Sequence, residues 1–328
     1  MRALAANAFT LLIVLGLAAA GLAAYGQRMF TGPGPHQEER VFVAPRGATL
    51  DQIAERLEAE ELISSARLFR IGARYAGKAG ALRFGEYRVP AGASMREILD
   101  LLASGRSIQY AITIPEGLTS WEVVEVLRAS DLLSGEIDSI PAEGALAPET
   151  YSVQRGDSRA ALLERMQDLQ RRTLALAWEG RADGLTLRSP EEALVLASLI
   201  EKETGQPGER GLVSAVFHNR LRQGMRLQSD PTIIYGITEG RGPLGRDIRR
   251  SDITRATAWN TYAIDGLPPT PIANPGRDAI VAAVRPDASD ALYFVADGTG
   301  GHAFARTLAE HNRNVAAWRA IERSRAAE

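Results

Sequence analysis

The sequence predicts an α+β protein: an N-terminal transmembrane helix, small β–helix modules, and a helix-rich domain carrying a β-hairpin. Three observations predict this. An uncharged run from Ala8 to Tyr25 is about as long as a bilayer-spanning helix. A strand–turn–helix pattern recurs three times between residues 41 and 133. Past residue 134, apolar residues return at helical spacing until two short strand-like runs near the C-terminus. The expected boundaries are 1–30 for a cytoplasmic tip and anchor, 31–40 for a linker, 41–133 for the repeats and 134–328 for the helix-rich domain. A chain of 328 residues has room for two domains and these additions.

Composition narrows the chemistry. The chain is 45% hydrophobic and 24% charged, which suits folded domains. A net charge of −2 offers no basic field for nucleic acid. With no cysteine there are no disulfides, thiolate metal sites or cysteine nucleophiles. The four histidines, His36, His218, His302 and His311, include no H-E-x-x-H pair, so neither a metal nor another cofactor is expected.

The anchor comes first in the chain. Leu11 to Leu15 sit at its centre, Arg2 precedes it and Arg28 follows. A secretory signal peptide is the competing reading, because Ala18 to Ala20 suit cleavage. The run is long for a signal core, so an uncleaved single-pass anchor is expected, with the N-terminus in the cytoplasm. Thr31-Gly-Pro-Gly-Pro35 then leads the chain away from the membrane.

Each repeat has Pro, Gly two residues on and Thr or Ser four on. The prolines are Pro45, Pro90 and Pro115, and the hydroxyl residues are Thr49, Ser94 and Thr119. Gln52, Glu97 and Glu122 lie three residues later and complete capping boxes. Val41–Val43, Tyr87–Val89 and Ile112–Ile114 are the strands before the turns. These units resemble LysM-like modules, which grip glycan chains; a generic supersecondary unit has the same outline.

Glu143 to Tyr151 reads as a proline loop, and Asp157 or Ser158 caps a spacer helix running to about Glu179. Then comes Ser189 to Gly205, the best-marked helix. Ser189 is its N-cap, Pro190 its first residue, Glu192 completes a capping box and Gly205 is the expected stop. Ala193 to Ile200 is apolar on all sides except at Ser198, so the helix should be buried. Its last turn holds Glu201, Lys202 and Glu203. Burial and the negative helix end both raise a carboxyl pKa, which suits a general acid. Helix physics does not separate Glu201 from Glu203, and solvated residues at a helix end remain the plain alternative.

A second helix is expected from Pro207 to Gln223, ended by Gly224. Asp230-Pro231 reads as a cap and first residue, and Asn274 as the cap of a helix from Pro275. Gly266 to Gly276 contains four prolines and forms a stiff loop beside Tyr262 and Asn260. Leu292–Ala296 and His302–Ala305 make a hairpin around Asp297-Gly-Thr-Gly-Gly301. Thr307 and Glu310 box the final helix.

Several of these segments together resemble a known family. They are L-A-S-L-I-E-K-E-T (196–204), V-S-A-V-F-H-N-R-L (213–221), M-R-L-Q-S-D-P-T-I-I-Y (225–235), N-T-Y (260–262), G-L-P-P (266–269), P-I-A-N-P-G (271–276), L-Y-F-V-A-D-G-T-G-G-H-A-F (292–304) and E-H-N (310–312). In this order they are similar to the MltG (YceG-like) endolytic murein transglycosylases, across essentially the whole chain. The resemblance implies an inner-membrane, single-pass protein with its catalytic domain in the periplasm. Its substrate would be nascent peptidoglycan glycan strands, its reaction cleavage of the MurNAc–GlcNAc β-1,4 bond to 1,6-anhydro-MurNAc ends, and its role termination of elongation near peptidoglycan synthases. The family's catalytic glutamate falls on Glu201. Departures from the family pattern are E-G-A-L-A-P-E-T-Y (143–151), which lacks aromatics before the proline, together with His218 and Thr270.

One carboxyl suffices for such a reaction. Glu201 would protonate the leaving oxygen and then, as a carboxylate, deprotonate the sugar's own C6 hydroxyl. Gln228, Asp230, Tyr235, Asn260, Tyr262, His302 and Asn312 are the expected substrate-orienting residues. Two alternatives stay open: a hydrolase in which Asp230 holds water, and a non-catalytic glycan-binding scaffold.

Overall fold

The computed structural model describes residues 2–325 and begins with one continuous helix, α1 (Arg2–Thr31). Its stretch Phe9–Thr31 is long and apolar enough to cross a membrane. Leu12, Leu17 and Leu22 on it are exposed, as lipid-facing residues would be.

The chain divides into two units: Met1–Tyr110 with Ser152–Gly156, and Ala111–Tyr151 with Asp157–Glu328. In the first unit, β1 (Arg40–Ala44) is followed by α2 (Leu50–Ala59), α3 (Ala66–Tyr75), β2 (Gly85–Val89) and α4 (Met95–Ser104). β1 and β2 pair antiparallel, with Phe42 opposite Tyr87. Both rings are fully buried and share a core with Leu57, Phe69, Ile98, Leu99 and Leu102. Phe30 of α1 joins this core. The first two repeats therefore do not stand as separate modules. Their strands pair with each other, and α2 and α3 lie between those strands in sequence.

The third repeat falls in the second unit, as the end of β3 (Tyr110–Thr113) and α5 (Ser120–Ala129). All three capping boxes form, at Thr49/Gln52, Ser94/Glu97 and Thr119/Glu122. The glycines of the three Pro-x-Gly turns have φ of 76°, 67° and 75° at Gly47, Gly92 and Gly117. That left-handed backbone is why the repeat needs glycine there.

Next in the chain come β4 (Leu133–Ser134), β5 (Thr150–Val153), β6 (Asp157–Ser158) and α6 (Arg159–Glu179). β4 and β6 pair parallel. Ser158 caps α6 as expected, but Leu176 on its apolar side is 69% exposed. The remainder is α7 (Pro190–Glu203), a 3-10 turn (Pro207–Glu209), α8 (Arg210–Arg222), α9 (Asp230–Thr238), α10 (Arg250–Ile253), α11 (Arg277–Val284), β7 (Tyr293–Ala296), β8 (His302–Ala305) and α12 (Leu308–Arg325). β7 and β8 form the expected antiparallel hairpin.

α7 is the centre of this unit, contacting α6, α8, α9 and α11. Leu196, Leu199 and Ile200 are fully buried. Each such side chain contributes about 1.5–3 kcal/mol of burial free energy, so the helix carrying Glu201 is held firmly.

Four local expectations change. The Ser189 hydroxyl accepts from the Glu192 N–H, but the Glu192 carboxylate accepts from Arg188 N instead of closing a box. α7 ends through extended Thr204, not through a left-handed Gly205. Ser229, not Asp230, occupies the N-cap of α9. Gly276, not Asn274, precedes α11, because Asn274 is drawn into the interior by other partners.

Candidate active site

The last turn of α7 sends three polar side chains to three different partners. The Glu201 side chain is 6% exposed. Its Oε2 accepts the Gly276 N–H at 3.0 Å, and its Oε1 lies 3.6 Å from Arg210 Nη2. The same Arg210 nitrogen donates to Glu116 Oε2 at 3.3 Å. Lys202 Nζ donates to the Gly117 carbonyl at 3.1 Å. The Ser229 hydroxyl donates to Glu203 Oε1 at 2.5 Å.

Burial pushes the Glu201 carboxyl above its ordinary value. The Gly276 N–H opposes this, the Glu116 charge adds to it, and Arg210 opposes it. The Glu201 carboxyl therefore holds its proton more tightly than an ordinary glutamate, beside groups that stabilise its anion once the proton has left.

The φ of −71° at Gly276 suits any residue, so what the glycine provides is space. A Cβ there would lie 1.8 Å from Glu116 Oε1. The Glu116 carboxylate thus sits directly over the Gly276 backbone. Glu116 is held there by its turn: the Gly117 N–H donates to the Asn274 carbonyl at 3.0 Å, and the Asn274 N–H returns a bond to Leu118 O at 2.8 Å. The fully buried Asn274 side chain donates to Leu118 O and Ser120 Oγ, and accepts from Leu146 N at 2.9 Å. Behind it, Glu143 accepts from Ser120 N at 2.7 Å and from the Tyr235 hydroxyl at 3.2 Å. Burial raises the Glu143 carboxyl too.

Glu203 belongs to a second cluster. Burial pushes its carboxyl up to about 7; the Ser229 hydroxyl opposes the shift and the Asp230 charge adds to it. Asp230 Oδ1 accepts from the Tyr262 hydroxyl at 2.7 Å, and burial raises that phenol. His302 Nδ1 lies 2.7 Å from Glu209 Oε2. Burial pushes Glu209 up, but its hydrogen bonds with His302 outweigh that and leave it low.

The predicted site residues therefore separate into groups. Asp230 and Tyr262 are bonded to each other beside Glu203, and His302 is paired with Glu209. Tyr235 reaches Glu143 and packs edge-on to Trp259 at 5.5 Å. Gln228 is exposed in a left-handed conformation, φ 50°, which marks a constrained position ahead of α9. Asn260 is buried, and its amide donates to the Asp252, Ile253 and Arg255 carbonyls, so it holds a turn. Asn312 is exposed on α12.

Glu116, Arg210, Gly276 and Glu143 are not among the site residues the sequence leads one to expect. A signal for Glu116 was present. The residue between Pro and Gly is Arg46, Ala91 and Glu116 in the three repeats, and only the third is acidic.

The YceG-like family model matches residues 42–317. An endolytic murein transglycosylase of Bacillus subtilis (strain 168) is 27% identical over 301 residues, covering 82% of this chain and 82% of that protein. One from Streptococcus pneumoniae (strain ATCC BAA-255 / R6) is 28% identical over 321 residues; the match covers 83% of this chain and 57% of that protein. Among solved structures, a yceG-like protein, lmo1499, from Listeria monocytogenes aligns with TM-score 0.51 at 27% identity. That alignment covers 84% of this chain and 99% of the other.

Proposed function

The chain belongs to the YceG-like family, and from that premise we propose that it is a membrane-anchored endolytic murein lytic transglycosylase with Glu201 as its general acid and base. The observation that carries the reading is the buried Glu201 carboxyl, raised in pKa, with an N–H at 3.0 Å and a guanidinium at 3.6 Å ready for its anion. The names and coverage of the relatives support the reaction class.

In the proposed reaction Glu201 gives its proton to the glycosidic oxygen as the MurNAc C1–O bond breaks. Positive charge develops on the ring. The C6 hydroxyl of the same sugar then attacks C1, and Glu201 takes its proton. The anhydro ring closes, Glu201 regains its starting state and no water is consumed. Between the two transfers the Gly276 N–H and Arg210 stabilise the carboxylate. Glu116 shares the Arg210 cation and keeps it from binding Glu201 so tightly that its proton is lost early. Gln228, Asp230, Tyr262 and His302 are proposed to orient sugar and N-acetyl groups.

The finer assignments extend this reading: α1 in the inner membrane with its N-terminus in the cytoplasm, the catalytic domain in the periplasm, the MurNAc–GlcNAc bond of nascent strands as target, and peptidoglycan synthases nearby. The LysM-like repeats are proposed to contact glycan.

A second reading has its own observation. Glu203 carries a carboxyl raised to about 7, which also suits an acid. Incubating full-length protein with uncrosslinked glycan strands, as wild type, Glu201→Gln and Glu203→Gln, separates the two. Loss of strand shortening by about 100-fold or more in Glu201→Gln alone is expected. The same loss in Glu203→Gln alone transfers the role, and unchanged cleavage in both overturns the proposal.

A further inference from the structure

We propose that the exposed face of α3 lies on the anionic phospholipid surface beside α1 and fixes how the first unit stands on the bilayer. This rests on the reading of α1 as a membrane anchor.

The geometry begins at the end of α1. The apolar run gives way at Gln27, and Arg28 is the first charge after it. At 1.5 Å per residue, a hydrocarbon core of about 30 Å is used up by about 20 residues. The segment Gly26 to Phe30 then lies at headgroup depth. α3 packs on α1 at this level. A Cβ on Gly26 would meet Leu68 Cδ1 at 3.7 Å. The Phe30 ring lies so close over Gly72 that a Cβ there would be 2.2 Å from it. Leu68 and Gly72 are one helical step apart, so a single stripe of α3 faces α1. Phe69 and Ala73, on the next stripe, enter the core.

The remaining face presents Arg67, Ile71, Arg74 and Tyr75, all exposed, with Ile71 at 55% and Tyr75 at 94%. Their spacing of four, seven and eight residues from Arg67 puts them on one side. α3 contains no acidic residue. Arg70, off this face, is paired with Asp51 and Glu55, and Lys78 with Asp100. Among the described residues, no ion pair engages Arg67 or Arg74. Basic residues beside an aliphatic and a tyrosine, held at headgroup level, match the composition that binds an anionic lipid interface.

The chain has no cysteine, so a single introduced one takes a spin label cleanly. Full-length Tyr75→Cys and Leu15→Cys proteins would be labelled and placed in nanodiscs of phosphatidylglycerol or of phosphatidylcholine. Collision rates with oxygen and with a polar relaxant report immersion. The label at 15 should be lipid-immersed in both, and if it is not, the anchor reading fails. With that label immersed, the one at 75 should lose at least about half of its polar-relaxant collisions in phosphatidylglycerol. It should regain them in phosphatidylcholine or when Arg67→Glu and Arg74→Glu are added. A label at 75 that stays fully aqueous in phosphatidylglycerol, or whose immersion ignores lipid charge and both reversals, overturns the proposal while leaving the anchor intact.

Discussion

Replacing Glu116 by Gln removes one charge beside Glu201 and keeps the shape of the side chain. Glu116 and Glu201 approach the same Arg210 nitrogen at 3.3 and 3.6 Å, so their nearest bound oxygens are within about 7 Å of each other. Repulsion at that distance is about 0.6 kcal/mol in water and about 2.4 kcal/mol at an effective dielectric of 20. The Glu116 side chain is 45% exposed, so solvent screening selects the lower part of this range, about 0.5–1 kcal/mol. The direction follows from the charge. Glu116 helps hold the proton on Glu201, so its loss lowers the Glu201 pKa. Glu201 acts as an acid, and its activity disappears as pH rises through that pKa. The alkaline limb of kcat/KM for strand cleavage should therefore move down in Glu116→Gln. Arg210→Gln removes the opposing cation and should move the same limb up. Lys202 is the other charged group nearby, with its ammonium bonded to Gly117 O, and it is common to both variants. Shifts of the same sign, or none in either, would refute the proposed electrostatic roles.

Other outcomes follow from the same geometry. Because the Glu203 carboxyl is raised to about 7 in the folded chain, folding binds a proton between roughly pH 4.5 and 7, and stability falls as pH rises through that window. Glu203→Gln should leave stability near pH 4 unchanged and raise it near pH 8 by about 3 kcal/mol, read from denaturant midpoints at both pH values. Asn274→Ala leaves the buried Leu146 N–H without its acceptor and should cost about 1–3 kcal/mol, lowering Tm by about 3–9 °C in a thermal melt. Gly276→Ala must displace the Glu116 carboxylate. It should reproduce the downward pH shift expected if Arg210 turns toward Glu201, at little cost in stability, because the Glu116 side chain is 45% exposed and free to swing away.

Features set by neighbouring residues were legible in the sequence. All three capping boxes, the Ser158 and Ser189 caps and the C-terminal hairpin depend on residues a few positions apart, and they form at the expected places. α3 was not anticipated. Gly72 in its middle lowers helix propensity by about 1 kcal/mol, and only the Phe30 ring above it explains why glycine is there. Asp230 and Asn274 carry good local cap signals, but Tyr262 and the turn at Leu118 claim them instead. Glu116 and Arg210 escaped notice because their meaning lies in residues 116, 201, 210 and 276 meeting in space. The prominence of Glu201 was legible because burial of its helix was written in an unbroken apolar run. Its distinction from Glu203 was not, since both carboxyls are raised.

The central claim is that a single carboxyl, Glu201, cleaves the strand without consuming water. It is tested most directly by digesting uncrosslinked glycan strands in water enriched with heavy oxygen and weighing the new chain ends by mass spectrometry. Anhydro ends with no heavy oxygen are expected from the wild type and should be lost in Glu201→Gln. Reducing ends heavier by one labelled water would contradict it and establish a hydrolase.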